Sequence, residues 1–263
     1  MKTLLLTCDA PTQTWPTGPA GAQRPTNDHP TKTGIIGMIA NALGRDYDDP
    51  IDDLAALDFA VRVDRAGIME RDYRTAGGRD YPALPADTLR GMKVDTTPAG
   101  RTVRAQPIKN IDPASPKKSP LGAPAHTLLT NGKQVIDHYL ADARFTVALT
   151  GNDAVIDAAA NAVRNPCRSV YLGRRQHPPA EPLFRQVTDH ADPLVALRDN
   201  PPTGRHDPAP WDAYFSAPGD STAVDVYDQP VIYGTAPRRH LRREAHTTLS
   251  DDSAPADDLS AFL

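Results

Sequence analysis

Residues 2–10 read KTLLLTCDA, a short apolar run bounded by a proline. This length and composition predict the first and central strand of a sheet. A loop rich in Pro, Gly and Thr follows, and residues 31–33 (TKT) supply hydroxyl groups that can cap a helix. Residues 34–43 (GIIGMIANAL) are apolar on nearly every face and precede Gly44, which predicts a buried helix with a glycine cap.

The rest of the chain combines short strand patterns with one further long helix. Phe59, Val61 and Val63 alternate with Ala60, Arg62 and Asp64 in the pattern of a half-buried strand. Residues 68–75 follow a glycine turn and are predicted as the hairpin partner of residues 59–63. Residues 76–125 have almost no apolar periodicity and many basic residues. The remaining predicted elements are an acidic helical turn at 52–57, a hairpin around Asn131-Gly132 within 127–140, strands at 143–150 and 169–172, and an amphipathic helix at 153–164.

This order, with the basic segment set aside as an insertion, gives a ferredoxin-like βαββαβ pattern, which RNA-recognition modules also use. The predicted fold class is therefore α+β. We expect a ferredoxin-like (RRM-like) core at residues 1–184 with a long basic insertion at about 76–126, a small β-rich C-terminal extension at 185–236, and a polar acidic, disordered tail at 237–263. In such a core the first and third strands are adjacent, so we expect residues 71–75 to lie beside the loop after the first strand.

The net charge of the chain conceals an uneven distribution. The 263 residues contain 29 Lys and Arg against 33 Asp and Glu, which gives a net charge of −4. Residues 71–185 hold 17 basic and 10 acidic residues, whereas residues 1–70 hold 6 and 10 and residues 186–263 hold 6 and 13. A basic middle segment favours a localised polyanion site, because binding follows the local field. A solvated basic face without a partner is the alternative.

The sequence also bears on the compartment of the protein. There is no apolar run of about 18 residues and no apolar segment after Met1 long enough for a signal peptide. We therefore expect a cytoplasmic protein that makes no use of a membrane.

Lys32-Thr33 before a helix invites comparison with a Walker A loop. The motif needs glycines immediately before the lysine and five residues earlier, and those positions are Thr31 and Thr26. Nucleotide hydrolysis is therefore not predicted. A helix N-terminus with two hydroxyl groups and a lysine still suits one phosphate of a larger ligand, with simple helix capping as the alternative.

Other catalytic motifs are missing from the sequence. Cys8, Cys167 and the eight histidines show no metal-ligand spacing, and no GxSxG occurs, so we expect neither a metal nor another cofactor. A metal-independent ribonuclease has no spacing rule, and Tyr47, Lys117 and His126 are conceivable members of such a site.

Two short clusters can bind phosphates. Residues 71–75 (RDYRT) alternate along a predicted strand, so that Arg71 and Tyr73 share one face, where a base can stack and a phosphate can bind. Packing of Tyr73 on the core, with the arginines paired to local aspartates, is the alternative. Residues 172–175 (LGRR) offer a close backbone approach and two guanidinium groups, or simply a solvated surface turn.

These clusters belong to a longer set of motifs that occur in one order along the chain. The set resembles the Cas-five family, the CasD subunits of type I-E CRISPR Cascade complexes, which belong to the RAMP superfamily. The matching segments are RPT at 24–26, PTKTGIIG at 30–37, RDYRT at 71–75, YLAD at 139–142, FTVAL at 145–149, LGRR at 172–175, Pro178, and PLF at 182–184. The chain departs from the family pattern at Pro16, which replaces a glycine after Trp15, and at 174–178, which reads RRQHP.

The resemblance implies a ferredoxin-like core with an inserted thumb that grips the 5′ handle of a CRISPR RNA. It implies a subunit between the backbone subunits and the large subunit of Cascade, with target DNA reached indirectly through the complex. Because another subunit cleaves the precursor RNA in this subtype, the resemblance implies a non-catalytic binder. The alternative is a metal-independent endoribonuclease that processes CRISPR repeat RNA.

The RNA-binding residues predicted from these motifs and from the basic insertion are Trp15, Arg24, Thr26, Thr31, Lys32, Thr33, Arg71, Tyr73, Arg74, Arg79, Arg101, Arg104, Lys109, Arg174 and Arg175. Tyr73 is the first candidate for base stacking and Trp15 the second. We expect these residues to form one continuous surface.

Overall fold

A computed structural model of the chain describes residues 1–17, 22–76, 93–96, 103–106, 133–233 and 238–251. The helices in these residues are α1 (Lys32–Ala42), α2 (Asp52–Ala55), α3 (Asp153–Arg164) and α4 (Pro193–Arg198). The strands are β1 (Lys2–Asp9), β2 (Thr12–Gln13), β3 (Gln23–Arg24), β4 (Asp58–Arg65), β5 (Ile68–Ala76), β6 (Lys93–Thr96), β7 (Val103–Gln106), β8 (Lys133–Ala141), β9 (Arg144–Gly151), β10 (Phe184–Thr188), β11 (Trp211–Ser216), β12 (Val224–Ile232) and β13 (Arg238–Leu249). The fold is mixed α+β and consists mostly of strands.

The described residues divide into two compact units. The first takes its residues from Met1–Pro19, Pro25–Glu70 and His138–Leu263, and the second from Ala20–Arg24 and Arg71–Asp137. The second unit includes β3, which pairs in parallel with β8, and β6, which pairs with β7 in an antiparallel ladder.

The first unit is built on one antiparallel sheet. Within the described residues its strand order is β10-β1-β9-β4-β11-β13-β12. The helices α1 and α3 cover one face of this sheet, and α4 covers the other. Because both faces of β1 are buried, its apolar residues are continuous: Leu4 and Leu6 pack with α1 and α3, whereas Leu5 packs with α4.

Both long helices begin at side-chain caps. Thr31 Oγ1 accepts a hydrogen bond from the N–H of Gly34 (3.2 Å) at the start of α1. Asn152 Oδ1 accepts one from the N–H of Ala154 (2.9 Å) at the start of α3. The two long helices predicted from the sequence are thereby confirmed. In the described part of the chain, no helix is long and apolar enough to cross a membrane.

A buried arginine connects α4 to the sheet. The Nε of Arg62 on β4 donates to Asp64 Oδ1 (2.6 Å), and both side chains are buried. Another guanidinium nitrogen of Arg62 donates to the carbonyl oxygens of Leu197 (2.5 Å) and Asn200 (2.9 Å). These carbonyls lie at the C-terminal end of α4, where backbone acceptors lack partners within the helix. Arg62 therefore satisfies the helix end and anchors it to β4.

The strand predicted at residues 169–172 is wrong. The N–H of Leu172 donates to the carbonyl oxygen of His177 (2.8 Å), and its own carbonyl oxygen accepts from the N–H of Thr14 (3.1 Å). Its backbone groups therefore close a turn and hold a loop. The strand that pairs with β1 at this edge of the sheet is β10, in the register Leu4↔Val187.

The predicted hairpin between residues 59–63 and 68–75 is also wrong. The two edges of β4 are filled by β9 and β11, and β5 pairs with β8. Gly67, between β4 and β5, has φ +68°, and a Cβ there would lie 2.5 Å from the carbonyl oxygen of Ala141. The partner of β1 in the centre of the sheet is β9, so residues 71–75 do not form the third core strand.

The C-terminal strands β11, β12 and β13 continue the main sheet beyond β4. The expected disordered tail from residue 237 is also wrong for its first part, since Arg238–Leu249 forms β13. Ala245 and Leu249 on this strand are buried, and its polar residues Arg242 and Glu244 form an ion pair with each other. Polar composition therefore concealed a strand of the core sheet.

Candidate nucleic-acid interface

In the second unit, two of the predicted arginines converge on one carboxylate. Asp137 on β8 is 1% exposed, and Arg24 on β3 lies directly beside it in the parallel register. Arg24 Nε lies 3.8 Å from Asp137 Oδ1, and a terminal nitrogen of Arg74 on β5 forms an ion pair with Asp137 Oδ2. The structure therefore brings Arg24 and Arg74 together.

The other face of β5 carries an exposed aromatic ring and a cation. Tyr73 is 57% exposed. Arg71 is exposed as well, and within the described residues it makes no ion pair. Packing of Tyr73 on the core is therefore excluded, and Arg74 pairs with Asp137 rather than with a neighbouring aspartate. An aromatic ring beside a guanidinium group suits a stacked base and its phosphate.

In the first unit, the loop after β1 is packed inward. The indole N–H of Trp15 donates to Gln13 Oε1 (3.1 Å), and the backbone N–H of Trp15 donates to Thr26 Oγ1 (2.7 Å). A Cβ added to Gly34 would lie 3.0 Å from the Trp15 ring, so the indole rests on α1. Trp15 and Thr26 are both buried. The expectation of base stacking on Trp15 is therefore wrong in this structure, because its ring already has partners.

The N-terminus of α1 holds an anion that belongs to the protein. The backbone N–H groups of Lys32 and Thr33 donate to the two carboxylate oxygens of Asp228 on β12, at 2.6 and 2.8 Å. The hydroxyl of Thr33 donates to the carbonyl oxygen of Asp228 (2.7 Å), and Lys32 Nζ donates to Gln229 Oε1 (3.0 Å). Since Thr31, Lys32 and Thr33 are all buried, the carboxylate occupies the position that the sequence suggested for a phosphate.

A network of buried charges extends from this helix end. A terminal nitrogen of Arg242 on β13 donates to Asp228 (3.0 Å) and to Glu244 (2.5 Å). His29 Nε2 lies 3.4 Å from Glu244, and the imidazole stacks on the ring of Tyr214 at 3.9 Å. The network ties the loop before α1 to β12 and β13.

The network shifts the acid–base behaviour of its members. Burial alone lowers the pKa of His29, but hydrogen bonds to Asp28 and Glu244 outweigh it and raise that pKa. Burial raises the pKa of Glu244, but His29 and Arg242 lower it overall. Burial, together with the charge of Arg242, lowers the pKa of Lys32 to about 8.

The Gly-Arg-Arg turn is held against the loop after β1. Gly173 has φ +94°, and a Cβ there would lie 1.8 Å from the carbonyl oxygen of Thr14, so only glycine fits. Thr12 Oγ1 and His177 Nδ1 lie 2.6 Å apart and close the same contact. Arg175 is exposed and Arg174 is half-buried. The turn therefore presents at least one guanidinium group to solvent from a rigid base.

Four of the predicted RNA-binding side chains lie outside the described residues. Arg104 lies in β7, but its side chain, together with Arg79, Arg101 and Lys109, lies outside the described residues. Among the described residues, no group of three or more His, Cys, Asp or Glu is arranged to hold a metal ion.

Sequence reasoning missed Asp137 and Asp228. Asp137 is a single acidic residue on the buried face of β8 beside Val135, and an isolated charge at such a position is a usable signal. Asp228 gave none, because its partner helix lies almost 200 residues earlier in the chain.

Comparison with known proteins places these features in a family. The family model for the CRISPR-associated protein (Cas_Cas5) matches residues 3–246. "CRISPR system Cascade subunit CasD" of Escherichia coli (strain K12) is 30% identical over 250 residues, which cover 92% of this chain and 93% of that protein. A chain of a solved "CRISPR RNA-guided surveillance complex" matches with a TM-score of 0.65 at 29% identity, over 94% of this chain and 90% of its own length. A second structure, "Crystal structure of Cas protein", matches with a TM-score of 0.59 at 25% identity, over 96% and 97%. The chain belongs to the CRISPR-associated Cas5 family.

Proposed function

We propose that this protein is a non-catalytic RNA-binding subunit of a type I-E CRISPR Cascade complex. In this role it holds the 5′ handle of the CRISPR RNA and helps to assemble the complex with the backbone and large subunits, and it meets target DNA only through the complex. Membership of the Cas5 family and similarity to a Cascade subunit along 92% of the chain support this proposal.

The proposed core is ferredoxin-like, as in RNA-recognition modules. Its four strands are β1, β4, β9 and β10, with α1 between the first two and α3 between the last two. Their spatial order is β10-β1-β9-β4. This is the order of a βαββαβ unit in which the first strand lies between the third and the fourth. On this assignment, the part of the chain from β5 to β8 is an insertion between the second and third strands of the core.

The exposed pair of Arg71 and Tyr73 on β5 is the observation that carries the RNA-binding proposal. Both side chains are exposed on one face of a strand, and the residues around them form the most basic part of the chain. A nucleic-acid base can stack on the exposed Tyr73 ring while the Arg71 guanidinium group binds a phosphate.

Other predicted residues take part in two ways. Arg24, Arg74, Arg174 and Arg175 remain candidates for direct phosphate contacts, as do the thumb residues Arg79, Arg101, Arg104 and Lys109. Because they are buried, Trp15, Thr26, Thr31, Lys32 and Thr33 are assigned a supporting role: Trp15 and Thr26 hold the loop after β1, and residues 31–33 cap α1 and join it to β12.

Variants of the full chain test the surface. In fluorescence anisotropy with a labelled RNA of the handle sequence, Tyr73→Ala should weaken binding by about 1–3 kcal/mol. Arg71→Ala should weaken binding and lower the log-log salt slope by about 0.7 for single-stranded RNA. Matched controls are Tyr227→Ala, another exposed tyrosine, and Arg198→Ala, another exposed arginine. Equal losses in the variants and their controls would remove the β5 face from the site.

The absence of catalysis is tested separately. Purified protein is incubated with labelled repeat RNA in EDTA, and the products are resolved by electrophoresis. We expect a band shift and intact RNA. Cleavage at one position near the handle would support the alternative, a metal-independent endoribonuclease; of its conceivable residues, Tyr47 is 75% exposed, and Lys117 and His126 lie outside the described residues.

A further inference from the structure

Asp137 is an unexpected residue in a surface that binds RNA. It is an acid in the unit that carries Arg71 and Tyr73, and its charge repels phosphate. It is also 1% exposed, and burying a carboxylate is unfavourable unless close cations compensate it. A residue with both disadvantages needs a reason, and two of the side chains beside it, Arg24 and Arg74, supply one.

The two arginines beside Asp137 come from different strands. Arg24 lies on the two-residue strand β3, and Arg74 lies on β5. Each has a long side chain with several freely rotating bonds, so neither strand alone fixes the direction of its guanidinium group. The shared carboxylate brings both groups to one place: it forms an ion pair with Arg74, and its other oxygen lies 3.8 Å from Arg24 Nε.

Both guanidinium groups retain donors for a ligand. The Arg24 and Arg74 side chains are 35% and 41% exposed, whereas the Asp137 side chain is 1% exposed. A guanidinium group has five N–H donors, and each of these ion pairs rests on a single nitrogen. A phosphodiester has two non-bridging oxygens, and two fixed guanidinium groups can bind both of them.

We propose that Asp137 is a positioning residue that holds Arg24 and Arg74 as a paired guanidinium site for one phosphodiester of single-stranded RNA. The inference rests on the proposed RNA-binding function. The carboxylate does not touch RNA; it acts by fixing the two groups that do. The entropic cost of ordering the two arginine side chains is then part of folding, so it does not weaken RNA binding.

Replacing the acid by its amide gives opposite signs for the two possible roles. If Asp137 acts only through its charge, Asp137→Asn removes a repulsion and tightens RNA binding. If it positions the arginines, the same substitution weakens binding of the handle RNA by about tenfold and lowers the log-log salt slope by about 0.7, because one phosphate contact is lost. Asp72→Asn is the matched control: Asp72 is exposed on the same strand and makes no ion pair among the described residues, so its removal should leave binding unchanged or tighten it.

A second variant covers the case in which Asp137→Asn does not fold. Arg74→Lys keeps the charge but replaces the five donors of a planar fork by three on one nitrogen, so it cannot pair with Asp137 and also bind a phosphate through two parallel hydrogen bonds. If Asp137 positions the arginines, Arg74→Lys should bind the handle RNA several-fold more weakly with an unchanged melting temperature. If only the charge of residue 74 matters, its RNA affinity should be unchanged. In the Arg24→Ala, Arg74→Ala background, Asp137→Asn should cause no further loss.

The outcomes separate the two proposals. If wild-type protein fails to bind the handle RNA, the proposed function is wrong. If wild-type protein binds and Asp137→Asn binds equally well or more tightly, the positioning role of Asp137 is wrong and the proposed function stands. A loss of binding in Asp137→Asn that the conservative variant Asp137→Glu partly restores supports the inference.

Discussion

Replacing Lys32 by methionine should stabilise the protein at neutral pH. The Lys32 side chain is 5% exposed, and burial and the charge of Arg242 lower its pKa from 10.5 to about 8. One pKa unit corresponds to about 1.4 kcal/mol, so keeping this lysine charged in the folded state is unfavourable by about 3 kcal/mol. Methionine has a similar length and no charge. Allowing about 1 kcal/mol for the lost hydrogen bond to Gln229, the net gain is about 2 kcal/mol.

The sign of the pH dependence follows from which state holds the proton. Below about pH 8, Lys32 is charged in both states and the full penalty is present. Between about pH 8 and pH 10.5 the unfolded chain holds more protons than the folded chain, so the stability contributed by this group rises with pH. The advantage of Lys32→Met over wild type should therefore shrink over this range.

Urea denaturation of both proteins at pH 7, 8.5 and 10 measures this advantage directly. Binding of the handle RNA at pH 7 should be unchanged, because Asp228 already occupies the N-terminus of α1. A difference in unfolding free energy that stays constant from pH 7 to pH 10 would refute the reasoning. Weaker RNA binding by Lys32→Met, with a lower log-log salt slope, would mean that Lys32 contacts an RNA phosphate, as the sequence suggested.

One further substitution and one pair of truncations test the packing. Gly173→Ala should lower the unfolding free energy by about 3 kcal/mol or more, because φ is +94° and the new Cβ would lie 1.8 Å from the Thr14 carbonyl oxygen. Gly219→Ala is the control: no atom lies within 4 Å of its new Cβ, so the melting temperature should be unchanged. Deleting residues 252–263 should preserve the melting temperature and RNA binding, whereas deleting 245–263 should lower both, since it removes half of β13 with two buried residues. Identical melting curves for the two truncations would contradict the structural role given to β13.

The helices could be predicted because their determinants are local. Thr31 and Asn152 cap α1 and α3 within three residues of the groups that they satisfy, and apolar periodicity marks the buried sides. Strand pairing could not be predicted in the same way. Whether β5 pairs with β4 depends on whether the edges of β4 are free, and β9 and β11 fill them from distant parts of the chain.

In the candidate site, too, local features could be predicted and long-range contacts could not. Alternation along residues 71–75 was enough to place Tyr73 and Arg71 on one face, because a strand has a period of two. It did not disclose that Arg74 pairs with Asp137, more than sixty residues later. The phosphate site predicted at Lys32 was wrong for a related reason. A helix N-terminus attracts any anion, and the sequence does not show that the carboxylate of Asp228 binds there in place of a phosphate.

The carboxylate of Asp228 at the start of α1 also constrains the order in which the fold can be completed during synthesis. Asp228 is translated 196 residues after Lys32, which at usual rates of elongation is a delay of roughly 10–40 s. Throughout that interval the first N–H groups of α1 depend on water, and β11, β12 and β13 cannot close the far edge of the sheet. The amino-terminal core therefore waits for nearly the whole polypeptide before its leading helix reaches its final state.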